Sequence, residues 1–170
     1  MTAAATESAI DAAYWFFQRA EKDNRFIDDK KIHHLLFIAQ KEFVKKIHGS
    51  VLLPSLFVCD ENGFTEPNLA KIFSFGRPFM PPVVLDDKLT VFLEVIWQKH
   101  ASAPTADLEE LVKSGALYQK YFKHGEKILI SPEMIAETAV DDNKTKTDKK
   151  KILFSQNGPV VVSQWNPRKL

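Results

Sequence analysis

Ile32-His33-His34-Leu35-Leu36-Phe37-Ile38-Ala39-Gln40-Lys41-Glu42-Phe43, closing at Ile47-His48-Gly49, is the stretch whose reading decides the fold. Its apolar residues fall at positions 32, 35, 36, 39, 43 and 47. That is the i, i+3, i+4, i+7 spacing of a helix with one face in a core. Asp28 or Asp29 can cap its start, because a carboxylate there accepts from unpaired amides and complements the helix dipole. Gly49 supplies a left-handed stop.

The same logic extends in both directions. Upstream, a helix is expected from about Ser8 to Asp23: Ile10, Ala13, Phe17 and Ala20 share one face, and Tyr14, Trp15 and Phe16 widen it. Downstream, Val51–Cys59 is apolar but broken by Pro54, so it reads as a short strand or an extended segment over the core. Asp60-Glu61-Asn62-Gly63 is a turn by composition. Thr65 can cap a short helix from Glu66 to about Ser74, with Pro67 in its first turn. Gly76-Arg77-Pro78-Phe79-Met80-Pro81-Pro82 is a proline-stiffened connection. Asp86 and Asp87 open a fourth helix with Leu89, Phe92, Leu93 and Ile96 inward. Pro104-Thr105 opens a fifth that stops at Gly115, Leu117–Phe122 adds a turn or two, and Ser131-Pro132 starts a last short helix.

After Ala139 the character changes. Residues 141–151 are almost wholly polar with five lysines and read as an exposed loop. Within 152–170, Ile152–Ser155 and Val160–Trp165 read as two strands around an Asn157-Gly158 turn, which Pro159 makes less than ideal. The expected fold is mainly α: a compact helical domain of about five to seven helices over 1–140, with a short C-terminal β-hairpin.

Composition sets limits on function. Apolar residues make up 45% of the chain and include 13 Phe, enough for a sizeable core. The 23 basic and 22 acidic residues leave a net charge of +1, which argues against nonspecific nucleic-acid or membrane binding. A single cysteine, Cys59, precludes an intrachain disulfide and a cysteine-rich zinc site. No apolar run reaches the roughly 18–20 residues of a membrane helix, and the start lacks the features of a signal peptide. A soluble cytoplasmic protein is the expectation.

Catalytic candidates are weak. His33 and His34 are adjacent, so they face different sides of one helix, and His48 is about 20 Å along the axis from His34. Surface or helix-end histidines are expected, and no metal. There is no Gly-x-Ser-x-Gly elbow and no glycine-rich phosphate loop, and Cys59 reads as a buried inert thiol. The expectation is no enzyme and no cofactor. By contrast, Phe64, Phe73, Phe75, Phe79 and Trp97 exceed what one small core needs, and a subset exposed together would anchor a protein-binding patch.

The order of features from Ile10 to about Glu137 resembles the Panacea domain family of SocA-like antitoxins and phage-associated proteins. Ala12–Phe17 is similar to its opening helix, and Lys31–Gln40 to its leucine-leucine-aromatic-x-alanine-glutamine core helix. Gly49–Phe57, Asp107–Val112 and Ile130–Ile135 correspond to its apolar segment and two closing elements. Where typical members carry a Gly-Pro-Val type motif, this chain reads Gly63-Phe64-Thr65-Glu66-Pro67-Asn68-Leu69. The resemblance implies binding rather than catalysis. Antitoxins of the family neutralise toxins by direct contact, or deliver them to a protease.

The functional expectation is therefore an antitoxin whose partner is a protein toxin encoded nearby. Contact would run through Phe64, Glu66, Pro67, Asn68, Arg77, Phe79 and Trp97, and self-association is left open. Two alternatives are a phage or mobile-element protein acting on host machinery and a small hydrolase or metal-dependent enzyme.

Overall fold

A computed structural model describes residues 4–47, 50–147, 151–155 and 158–162, with side chains as far as Ala139. Seven helices and five short strands are present among the described residues. Helix α1 (Ala9–Lys22) begins where the Ser8 hydroxyl accepts from the Ile10 amide at 3.1 Å. Tyr14, Trp15, Phe16 and Phe17 are all buried, the wide stripe its sequence predicts.

Helix α2 (Asp29–Lys46) is capped by Asp28, whose carboxylate accepts from the Lys31 amide at 2.7 Å. The expected stop at Gly49, together with His48, lies outside the described residues. Every residue from Lys31 to Gln40 is buried, because α1, α4, α5, α7 and β2 surround this helix. It is a central helix, apolar on more than one stripe. Two of its polar members, Lys31 and Gln40, hold neighbouring backbone. The Lys31 ammonium donates to the Ala101 and Ala103 carbonyls at 2.8 and 2.7 Å, completing the unpaired end of α4. Gln40 Oε1 accepts from the Leu53 amide at 2.8 Å, which holds the apolar 51–53 segment as extended chain rather than strand.

The strand begins later, at β1 (Phe57–Asp60). It pairs antiparallel with β2 (Gly63–Thr65) on one side and β3 (Ile128–Ile130) on the other, in the order β2-β1-β3. The Asp60–Gly63 turn is real: Asp60 Oδ1 accepts from the Asn62 amide at 2.8 Å, and Gly63 takes a φ of 106°. A side chain at Gly63 would be strained twice, since a Cβ there would stand 3.3 Å from the His34 ring.

Helix α3 (Pro67–Phe73) is capped by Glu66, not Thr65: the Glu66 carboxylate accepts from the Leu69 amide at 2.6 Å. Helices α4 (Asp87–His100), α5 (Thr105–Lys113) and α6 (Ala116–Tyr121) fall where expected, and Asp86 caps α4. Leu89, Leu93, Ile96 and Trp97 of α4 are buried. Arg19 of α1 grips Glu94 of α4 through two bonds of 2.8 and 3.0 Å, while Trp97 donates to Asp23 at 2.8 Å.

One expectation is corrected at the C-terminal end. Helix α7 (Pro132–Thr147) continues through most of the segment read as a polar loop. Most of residues 141–147 are Asp, Asn and Thr, weak helix formers, so the extension owes more to elongation of a helix that Ser131-Pro132 has already nucleated than to propensity. Beyond it, β4 (Lys151–Ser155) and β5 (Gly158–Val162) pair antiparallel with Ser155 opposite Gly158. The hairpin reading thus holds for the backbone, while Asn157 of its turn lies outside the described residues.

Candidate functional site

The proline-rich connection between α3 and α4 builds the most distinctive surface. Pro78, Pro81 and Pro82 have no amide N–H, so this backbone cannot join a ladder and offers mainly carbonyls. Helix α1 meets them with side chains. The Tyr14 hydroxyl donates to the Pro78 carbonyl. Gln18 uses both ends of its amide, donating to Pro81 at 3.5 Å and accepting from the Val83 amide at 3.2 Å.

Arg77 fixes the start of this strap. Its guanidinium lies 3.9 Å from the centroid of the Phe17 ring, and it donates to the Ile27 carbonyl at 2.6 Å and to Asp29 at 2.9 Å. A planar fork that stacks and donates at once is a role for arginine rather than lysine. Burial of Tyr14 beneath the strap raises its hydroxyl above the usual range, so it stays a neutral donor at ordinary pH.

What the strap leaves outside is aromatic. Phe75 is 89% exposed, Phe79 is 96% exposed, and Phe26 is 86% exposed. The Phe26 ring centroid is 5.9 Å from the Arg77 guanidinium, so Phe17, Arg77 and Phe26 form one layered group. Between the strap and α1 runs an open groove of about 390 Å³, walled by Tyr14, Phe17, Glu21, Arg77, Phe79 and Met80. Single exposed apolar residues are ordinary, but Phe75 and Phe79 within two positions of Arg77 in sequence, with Phe26 against its guanidinium, are three exposed phenylalanines tied to one residue. Burying each ring would be worth about 1.5–3 kcal/mol.

The seven residues expected to touch a partner separate into three groups. Arg77 and Phe79 come together in the groove. Pro67 and Asn68 are exposed at the start of α3 and do not line it. Phe64, Glu66 and Trp97 are interior, at 1%, 0% and 1% exposure, and offer no surface to a partner. Phe64 stacks on Phe37, Glu66 caps α3, and Trp97 joins α4 to Asp23. Phe26 and Glu21 carry no periodic or motif signal, and sequence reading misses them.

The histidines also need correcting. His33 and His34 are buried, not superficial. His33 Nδ1 accepts from the Glu66 amide at 3.2 Å. His34 is 1% exposed with neither ring nitrogen hydrogen-bonded, and burial pushes its pKa down to about 4. Both are neutral core residues at pH 7. His100 ends α4 as expected, and His124 is exposed beside Glu61 at 2.9 Å. Cys59 is buried, and desolvation pushes its thiol up to about 11. Among the described residues no group of three or more His, Cys, Asp or Glu side chains is arranged to hold a metal.

Compared with known proteins, the chain matches no family model, no curated protein and no solved structure. No helix among the described residues is long and apolar enough to cross a membrane.

Proposed function

We propose that this protein is a non-catalytic protein-binding module, an antitoxin that neutralises a toxin encoded nearby by direct contact or by adapting it for degradation. A cytoplasmic place of action goes with this reading. The observation that carries it is the exposure of Phe26, which lies against the fixed Arg77, and of Phe75 and Phe79, which flank Arg77 in sequence. Aromatic and arginine side chains dominate the energetically important centres of protein interfaces. The strap is stiffened by proline and tied to α1, so docking to it orders little chain and forfeits little entropy.

The antitoxin assignment also draws on the Panacea-like order of Ala12–Phe17, Lys31–Gln40 and Ile130–Ile135. In this reading the contact surface centres on the strap, where Arg77 and Phe79 of the expected contact residues sit, since Phe64 and Glu66 are buried.

Co-expression with the product of the adjacent open reading frame tests the proposal. A product that is toxic alone, is tolerated with this protein and co-purifies with it supports the reading. A harmless product that forms no complex rejects it.

A further inference from the structure

We infer that the strap groove takes a basic, apolar-flanked segment of the partner, with one Lys or Arg side chain entering between Phe79 and α1. This rests on the protein-binding reading above and names the chemistry that the same surface selects. The argument is charge complementarity on aromatic walls. Only two ionisable groups with a formal charge line the groove, Arg77 and Glu21. Arg77 is already satisfied by Asp29 and the Ile27 carbonyl, and its face is covered by Phe17. Among the described residues, Glu21 has an exposed carboxylate with no hydrogen bond or ion pair. The nearest basic residue in sequence, Lys22, lines a separate depression with Trp15, Arg19 and Glu94.

The groove therefore offers one uncompensated negative charge and the wholly exposed ring of Phe79, over a buried floor of Tyr14 and of Phe17, whose ring already carries Arg77. A long basic side chain satisfies both. Its methylene stem lies along apolar surface, its charged end is attracted to ring faces, and its N–H groups reach a carboxylate. An acidic segment would bring like charge against Glu21, which disfavours it. A purely apolar segment would cover Glu21 without replacing its water.

Selection of peptides from a random display library against the full chain, followed by affinity measurement on synthetic peptides from the selected consensus, tests this. The expected consensus is Lys or Arg between apolar residues. Its affinity should fall about 10-fold or more in Phe79→Ala, about 3-fold in Glu21→Gln, and about 10-fold or more in Glu21→Lys. Glu21 is exposed, so these charge variants leave folding intact. An acidic or uncharged consensus that Phe79→Ala abolishes would overturn the inference and leave the protein-binding reading standing. So would basic peptides indifferent to both Glu21 variants. Peptides that ignore Phe79→Ala, or none selected at all, would overturn both.

Discussion

The ring of Phe64 stacks on that of Phe37 with centroids 3.8 Å apart and planes 15° from parallel. Phe37 also meets Phe57 edge-on at 5.5 Å, and Phe64 meets Tyr118 edge-on at 5.9 Å. Phe64 is thus the link by which β2 is packed onto the central helix α2. Phe79, fifteen positions further on, shares its chemistry and touches almost nothing. The two should respond to alanine in opposite ways. Phe64→Ala is expected to cost about 3–5 kcal/mol of unfolding free energy, the range for emptying a core aromatic site. Phe79→Ala should stay within about 0.5 kcal/mol of the parent. Urea denaturation of the two variants measures both, and equal losses would contradict the placement.

Arg77 holds the strap by stacking and hydrogen bonding together, so its removal should loosen that segment before it unfolds the domain. Arg77→Ala is expected to lower stability by about 1–2 kcal/mol, for one partly exposed charged hydrogen-bond set and one ring contact. Chymotrypsin cleavage after Phe75 and Phe79 should accelerate in the native state. Arg77→Lys should restore little, since an ammonium cannot lie flat on Phe17 while donating to Asp29 and Ile27. An unchanged cleavage rate in Arg77→Ala would show that the tyrosine and glutamine contacts of α1 hold the strap alone.

His34 gives the fold a predictable acid response. Its ring is buried and unpartnered, facing Gly63 and Val112, with Glu109, Lys30, Asp28 and His33 as the nearby charged or titratable groups. Its pKa is about 4 in the folded protein against 6.5 for the ordinary group. The unfolded chain therefore binds the proton first. Stability is intact above about pH 6.5 and is lost as pH falls towards 4, by about 3 kcal/mol from this residue. Urea midpoints between pH 7 and pH 4.5 should fall more steeply for the parent than for His34→Leu. Parallel slopes would show that the ring is protonated without cost.

Much of the helical scaffold is legible in the sequence. Ser8, Asp28, Asp86 and Ser131-Pro132 each mark a start that backbone capping alone can enforce, and the spacing from Ile32 to Phe43 marks a buried helix. Of the small sheet, only the end of β1 and the Asp60–Gly63 turn are legible. β2 and β3 are three residues each and exist because β1 pairs with both, and the β1–β3 pairing joins residues distant in sequence. Sequence reading names Thr65 as the cap of α3, but Glu66 takes that place, its carboxylate accepting from the Leu69 amide and from the Asn68 side chain at 3.1 Å.

The proposed binding surface is half legible for a related reason. A phenylalanine says that it prefers burial, but not whether its neighbours leave room. Phe64 and Trp97 found partners on α2 and α1, whereas Phe75 and Phe79 precede and follow the positions fixed at Arg77 and Pro78 and are left outward. His33 and His34 were misjudged because a helix surrounded on all sides buries its polar residues too.

The central claim is that Phe79 and Phe75 form a partner-contact surface without a structural role. The measurement that tests it most directly is a calorimetric titration of the co-purifying neighbour protein with the parent and with the Phe75→Ala/Phe79→Ala double variant. Thermal melts of both free proteins are run alongside. The account predicts coincident melts and an affinity about 100-fold weaker for the double variant. Unchanged affinity with coincident melts would contradict it.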